Sequence, residues 1–284
     1  MAPRTRKQFG QHWLRSDRAL QQIVEAASLA EGDRVLEIGP GTGILTRRLL
    51  PLAAAVVAVE IDRDLCTLLA KQLGEAPNFL LLQGDFLALD LDTLLTNFPQ
   101  FQQPNKVVAN IPYNITGPIL ERLLGSIAAP NPRPLDSIVL LLQKEVGDRL
   151  CASPSSKAYG ALSVRVQYLA QCDRICHVPA SAFQPPPKVD SVVVRLTPRS
   201  FAPAAADPKH LDMLVRLGFA TRRKMLRNTL QPAVDKDDLM PLLESLGLNP
   251  QSRAEDLSVA DWVALSNTLL ETREGVREGD EGKI

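Results

Sequence analysis

Apolar positions run through the first two hundred residues in two rhythms. Helical spacing marks Leu20, Ile23, Val24 and Ala27, with Ser16 placed to cap a helix over 16–29. Val35-Leu36-Glu37-Ile38 instead reads as a short strand, and Gly39-Pro40-Gly41-Thr42-Gly43 follows it. The alternation then repeats. Residues 44–50 suit a helix, 56–61 a strand, 63–73 a helix, and 79–83 a strand that ends at Gly84-Asp85-Phe86. Further strands are predicted over 106–110 and 137–143, with helices over 115–124 and from 144 to 150. Strands and helices alternating at these intervals predict an α/β protein with a doubly wound, largely parallel sheet. Pro179–Asp190 interrupts the rhythm as a stiff, proline-rich loop before a last strand over 192–196. Past a Pro/Ala-rich boundary at 198–208 the pattern turns helical to 271, with Ser258-Val259-Ala260-Asp261 opening the final helix. The expected division is a sheet domain over 1–200, a small all-helical domain over 201–272, and a disordered tail over 273–284, rich in Gly and charge.

Composition adds little until charge is read locally. The 284 residues carry 32 basic and 32 acidic side chains, so no global charge selects a partner. Residues 1–20, however, hold Arg4, Arg6, Lys7, Arg15 and Arg18 against Asp17 alone. Residues 213–230 hold Arg216, Arg222, Arg223, Lys224 and Arg227 with no acid. Two separated basic clusters on a neutral chain suggest an anionic partner gripped at defined places, though solvated helix faces would look the same. A helix through 216–230 would bring Arg216, Arg223 and Arg227 to one side. The four cysteines, at 66, 151, 172 and 176, form no disulfide framework and suit a reducing cytoplasm. Cys172, Cys176 and His177 lack a second ligand pair at zinc-like spacing, so buried thiols are expected there and no metal. No apolar run approaches membrane-spanning length, and the N-terminus lacks the apolar core of a signal peptide.

The chemistry-bearing residues sit at the ends of the predicted strands, where open α/β sheets hold ligands. The Gly39–Gly43 turn lets a ligand approach the backbone closely, a device that dinucleotide enzymes share. Glu60 could accept both hydroxyls of an adenosine ribose, and Asp85 an adenine amino group. Glu37, before the glycine turn, would crowd a pyrophosphate but suits the ammonium of a methionine moiety. The acids could each be helix caps or solvated carboxylates; at successive strand ends they favour a nucleoside ligand, S-adenosylmethionine over a dinucleotide. The run Val107-Val108-Ala109-Asn110-Ile111-Pro112-Tyr113 is the most informative in the chain. Pro112 biases Ile111 toward an extended conformation, which frees its carbonyl. The Asn110 side-chain oxygen and the Ile111 carbonyl would then make an acceptor pair for an exocyclic amino group, with Tyr113 as a stacking face.

Taken in order, these blocks resemble a known family. Phe9-Gly10-Gln11-His12-Trp13-Leu14, Glu37-Ile38-Gly39-Pro40-Gly41-Thr42-Gly43, Val59-Glu60-Ile61-Asp62, Gly84-Asp85-Phe86 and Asn110-Ile111-Pro112-Tyr113 are followed by Val178 to Asp190 and by Phe219 to Asn228. Together they are similar to the ribosomal small-subunit RNA adenine dimethyltransferases, the class whose loss gives kasugamycin resistance. The resemblance implies a Rossmann-like class I methyltransferase fold. It also implies transfer of four methyl groups from S-adenosylmethionine to N6 of two adjacent adenosines. Their place is the hairpin loop near the 3′ end of small-subunit rRNA, in a pre-30S-type particle. Carried over by position, the cofactor pocket comprises His12, Leu14, Glu37, Gly39, Gly41, Glu60, Ile61, Asp85, Phe86 and Asn110. The catalytic group is Asn110, Ile111, Pro112 and Tyr113, with Phe183 expected at the rim as a second stacking face. Arg222, Arg223, Lys224 and Arg227 are expected to grip rRNA. His12 and Trp13 depart from the Asn and Phe of many members. A cytoplasmic monomer is expected. The alternatives are the related large-subunit methyltransferases of macrolide resistance and non-catalytic nucleic-acid-binding descendants; the triple-proline loop and the Arg222-Arg223-Lys224 block favour the small-subunit class.

Overall fold

The structure, a computed structural model, describes residues 11–221 and 223–281, with side chains to Thr272. It opens with a short strand β1 (Trp13–Leu14) and helix α1 (Asp17–Ala27), which Ser16 caps by accepting the Ala19 N–H. The alternating region follows: β2 (Arg34–Ile38), α2 (Thr46–Leu49), β3 (Ala55–Glu60), α3 (Arg63–Leu73), β4 (Phe79–Gln83), α4 (Leu91–Leu95), β5 (Lys106–Asn110), α5 (Thr116–Leu124), β6 (Ser137–Gln143) and α6 (Lys144–Leu150). Next come α7 (Ala161–Leu169), β7 (Ala170–Val178), β8 (Phe183–Gln184) and β9 (Ser191–Pro198). The chain ends in α8 (Pro208–Gly218), α9 (Leu226–Thr229), α10 (Lys236–Ser245) and α11 (Val259–Glu281).

Seven strands form one sheet in the order β4-β3-β2-β5-β6-β9-β7. The pairs from β4 across to β6 are parallel, and β9 is antiparallel to β6. All six residues of β3 are buried, as expected of an interior parallel strand covered on both faces. Leu20 and Ile23 of α1 are fully buried in the cluster that contains Val35, Val56, Val108, Val139 and Val193, each contributing roughly 1.5–3 kcal/mol by leaving water. Strand order reverses beside β2, which has β3 on one side and β5 on the other. The C-terminal ends of β2 and β5 therefore diverge into a crevice, the usual place for a ligand in such sheets.

The chain forms two compact units. One takes residues to Leu123, Pro132–Gly147 and Cys172–Pro198; the other takes Leu124–Asn131, Asp148–Gln171 and the chain from Arg199. The expected boundary near 200 is thus only one of several crossings. The sequence predicts no helix over 161–169; α7 forms there, and its partners are α8 and α11 of the helical unit. In that unit the buried Trp262 lies so close to Gly218 that a Cβ there would meet the ring at 2.4 Å. Ser258 and Asp261 cap α11 reciprocally.

Three further expectations are corrected. The helix through 216–230 does not form: α8 ends at Gly218, and α9 begins after the extended Met225. Packing explains the break, since Phe219 tilts against Trp262 and both Leu226 and Leu230 are fully buried. Strand β7 had no legible pattern because it lies at the sheet edge, where polar residues are tolerated; Cys172 and Cys176 on it are half-buried, not fully buried. The expected disordered tail is, from Arg273 to Glu281, backbone of α11; Glu and Arg favour helix there and no proline ends it. Residues 282–284 lie outside the described residues.

Candidate active site

The glycine turn after β2 has three left-handed residues, Gly39, Gly41 and Gly43, with φ of 68°, 60° and 74°. A Cβ on Gly41 would lie 2.7 Å from Cζ3 of Trp13, so the turn is shaped by the ring above it as well as by its backbone. The Gly39 N–H donates to the Val59 carbonyl at the end of β3. Glu60 closes the turn from the same side: Oε2 accepts the Gly41 N–H at 3.1 Å and Oε1 the Asp62 N–H at 2.9 Å. Burial raises the Glu60 carboxyl, against the pull of those backbone donors.

Glu37, one residue before the end of β2, is 1% exposed. Its Oε2 has no hydrogen-bond partner. Burial pushes its carboxyl up to about 8, and the charge of nearby Glu60 adds to the rise. An orphaned buried carboxylate oxygen of this kind is costly unless a donor or cation reaches it.

Beyond β4 the chain turns tightly on Asp85. The Asp85 carbonyl accepts from Ala88 and Leu89, and its Oδ1 accepts from Leu87 at 2.9 Å. That leaves Oδ2 for a ligand donor. At the end of β5 the Asn110 side chain makes no hydrogen bond among the described residues. The Ile111 N–H donates to Leu141, while Pro112 is extended with φ −61° and ψ 131°. The Tyr113 hydroxyl lies 2.5 Å from the fully buried Ser191 Oγ, and burial raises the phenol above its usual range.

These strand ends enclose a cavity of about 220 Å³. Its walls bring together His12, Leu14, Glu37, Gly39, Gly41, Glu60, Ile61, Asp85, Phe86, Asn110, Ile111, Pro112 and Tyr113. Phe183 is the exception. It is 4% exposed, belongs to the core beneath β1, and does not line the cavity. The reason is strand register: β8 pairs antiparallel with β1, and opposite residues share a face, so Phe183 goes inward with Leu14 while Gln184 is exposed. Trp13, Gln11 and Thr42 line the cavity without having been singled out as site residues. Trp13 stands 28 residues before Gly41 in the chain, so their contact has no local sequence signal. His12 donates from Nδ1 to the Pro185 carbonyl at 2.8 Å, which leaves Nε2 of the neutral ring as an acceptor, and its ring stacks near Tyr113 at 6.2 Å between centroids.

Of the expected RNA contacts, Arg223 and Lys224 are exposed in the turn before α9. Arg227 is half-buried, with Nη1 4.0 Å from the Met240 sulfur. Arg222, and the Phe9-Gly10 pair of the first motif, lie outside the described residues. No helix among the described residues is long and apolar enough to cross a membrane.

The cavity suits S-adenosylmethionine on its own chemistry. It offers a glycine cradle, an orphaned buried acid for a cationic tail, a second buried acid beside the cradle for a ribose, and a free Asp85 oxygen for an adenine amino group. Comparison with known proteins agrees. The family model for ribosomal RNA adenine dimethylase matches residues 2–271. A ribosomal RNA small subunit methyltransferase A of Trichormus variabilis is 67% identical over 266 residues, 94% of this chain and 98% of the relative. Among solved structures, a dimethyladenosine transferase from Plasmodium falciparum has TM-score 0.76 at 29% identity, covering 93% of this chain and 98% of that one. The 23S rRNA methyltransferase ErmE has TM-score 0.71 at 25% identity, covering 90% and 99%.

Proposed function

The chain belongs to the ribosomal RNA adenine dimethylase family, and from that premise we propose that it dimethylates adenine N6 in small-subunit rRNA using S-adenosylmethionine. The finer reading is four methyl groups on two adjacent adenosines of the 3′-terminal hairpin loop, within a pre-30S-type particle, by a cytoplasmic monomer. The observation that carries the chemistry is the unpartnered Asn110 amide at the mouth of the cavity, one residue before Ile111-Pro112-Tyr113.

When bound, the cofactor supplies a methyl group already activated on sulfonium. Glu37 and the Nε2 acceptor of His12 would hold its ammonium, Glu60 its ribose, and Asp85 its adenine amino group, between Ile61 and Phe86. The protein's remaining task is to align the target amine and make its lone pair available. Adenine N6 is a poor nucleophile because its lone pair is delocalised into the ring. The Asn110 oxygen and the Ile111 carbonyl would accept its two hydrogens and favour a pyramidal nitrogen. Tyr113, with its hydroxyl held by Ser191, offers the stacking face; the buried Phe183 offers none. No general base is needed, since the alkylated nitrogen is acidic and releases its proton to water. One N–H survives the first transfer, so one of the two acceptors can still orient a second. The target must leave its stack first, which costs least in a loop.

Small-subunit particles lacking the modification, incubated with labelled cofactor, should gain N6,N6-dimethyladenosine at two adjacent positions. Large-subunit RNA should gain none. Label in large-subunit RNA alone would overturn the assignment in favour of the macrolide-resistance type, and binding without transfer would favour a non-catalytic descendant.

A further inference from the structure

We propose that Arg122 is a positioning residue that sets the enzyme's selectivity for adenine in its cofactor, by clamping the Asp85–Leu89 turn from behind. The inference rests on the cofactor reading above. Arg122 projects from α5, half-buried, and does not line the cavity. Its guanidinium nevertheless makes three contacts with the turn that bears the wall residues Phe86 and Leu87. Nη1 donates to the Leu87 carbonyl at 2.7 Å, and Nη2 donates to the Leu89 carbonyl. The guanidinium carbon also lies 4.8 Å from the centroid of the Phe86 ring, within cation–π range. One rigid fork thus holds two carbonyls and an aromatic ring of a five-residue turn.

The turn depends on such a clamp. Within the turn Asp85 is the hub: its carbonyl and Oδ1 accept three N–H groups from Leu87, Ala88 and Leu89. Leu89 in turn packs against Gly84, where a Cβ would stand 2.9 Å from Leu89 Cδ2. The part-buried Leu87 and Leu89 carbonyls of the turn that carries Asp85 are thus both held by one side chain from α5. The planar guanidinium can satisfy two divergent carbonyls at once, which a lysine ammonium does less well. Loosening the clamp should let Oδ2 wander from the adenine amino group. An acceptor that is free to move loses its preference for a donor before it loses shape complementarity.

The test uses the full-length protein and two probes, S-adenosylhomocysteine and S-inosylhomocysteine, which differ by an amino or an oxo group on the base. Calorimetry on the parent should show the adenine ligand bound at least about tenfold more tightly, the scale of one hydrogen bond at a desolvated site. Arg122→Met, which keeps the apolar stem, should weaken the adenine ligand by about tenfold and the inosine ligand by less than about threefold, so that discrimination collapses. Arg122→Lys should fall between. Equal weakening of both ligands, or unchanged discrimination, overturns the proposal, because a purely structural arginine would move both affinities together. Should Arg122→Met fail to fold, Arg122→Lys decides by the same ratio, and a parental ratio there counts against the clamp. If the parent binds neither ligand, the cofactor reading and this inference fall together.

Discussion

Glu37→Gln removes an ionisable oxygen from the most buried acid of the cavity while keeping its shape. In an unfolded chain this carboxyl titrates near 4.5; in the folded protein burial pushes it up to about 8. The folded state therefore binds a proton more tightly than the unfolded state between those values. Stability is fully present at low pH, falls as pH rises through this window, and levels off above the folded value. At about 1.4 kcal/mol per pH unit, the parent should lose roughly 2–3 kcal/mol relative to Glu37→Gln between pH 6 and pH 8, and no more than about 5 kcal/mol across the whole window. Urea unfolding of both proteins without cofactor, at pH 6 and pH 8, measures the difference directly. Glu60 titrates in both proteins but is coupled to Glu37, so the difference reports Glu37 together with the change that its removal makes in Glu60. Adding S-adenosylmethionine should then reverse the ranking, because its ammonium gives the ionised Glu37 a partner that the amide of Gln cannot replace. Stability curves that run parallel with pH would refute the raised, buried carboxyl. A cofactor affinity equal in both proteins at pH 8 would refute its role toward the ammonium.

Asn110→Ala should lower turnover by about 100-fold while leaving binding of small-subunit particles near parental, which single-turnover kinetics and a filter-binding assay separate. Gly41→Ala combines a left-handed φ with a Cβ 2.7 Å from Trp13; it should weaken cofactor binding by about 1–3 kcal/mol in calorimetry, and parental affinity would mean the turn is compliant. Asp85→Ala should weaken the cofactor by a similar roughly 1–3 kcal/mol, and an unchanged Kd would remove Asp85 from the site. Replacing Arg222, Arg223 and Lys224 together by Ala should flatten the salt dependence of particle binding by about one unit of slope per lost phosphate contact, with cofactor affinity unchanged. An unaltered slope would make these charges an ordinary solvated surface.

The sequence by itself determined much of the sheet and pointed to the acids and the amide that meet in the cavity. Strand ends are local features: Glu37, Glu60, Asp85 and Asn110 are each within three residues of the close of an apolar run, and parallel pairing necessarily brings those ends to one edge. What depends on partners far along the chain was decided only in three dimensions. Phe183 and Gln184 are neighbours in sequence, and nothing local says which faces the core; pairing with Trp13 and Leu14 does. The tautomer of His12 follows from a carbonyl 173 residues away, and the clamp of Arg122 from one 35 residues away. The helix expected through 216–230 breaks because burial of Leu226, Leu230 and Trp262 outweighs local propensity. Periodicity reports the face a residue presents, and tertiary contact decides what meets it.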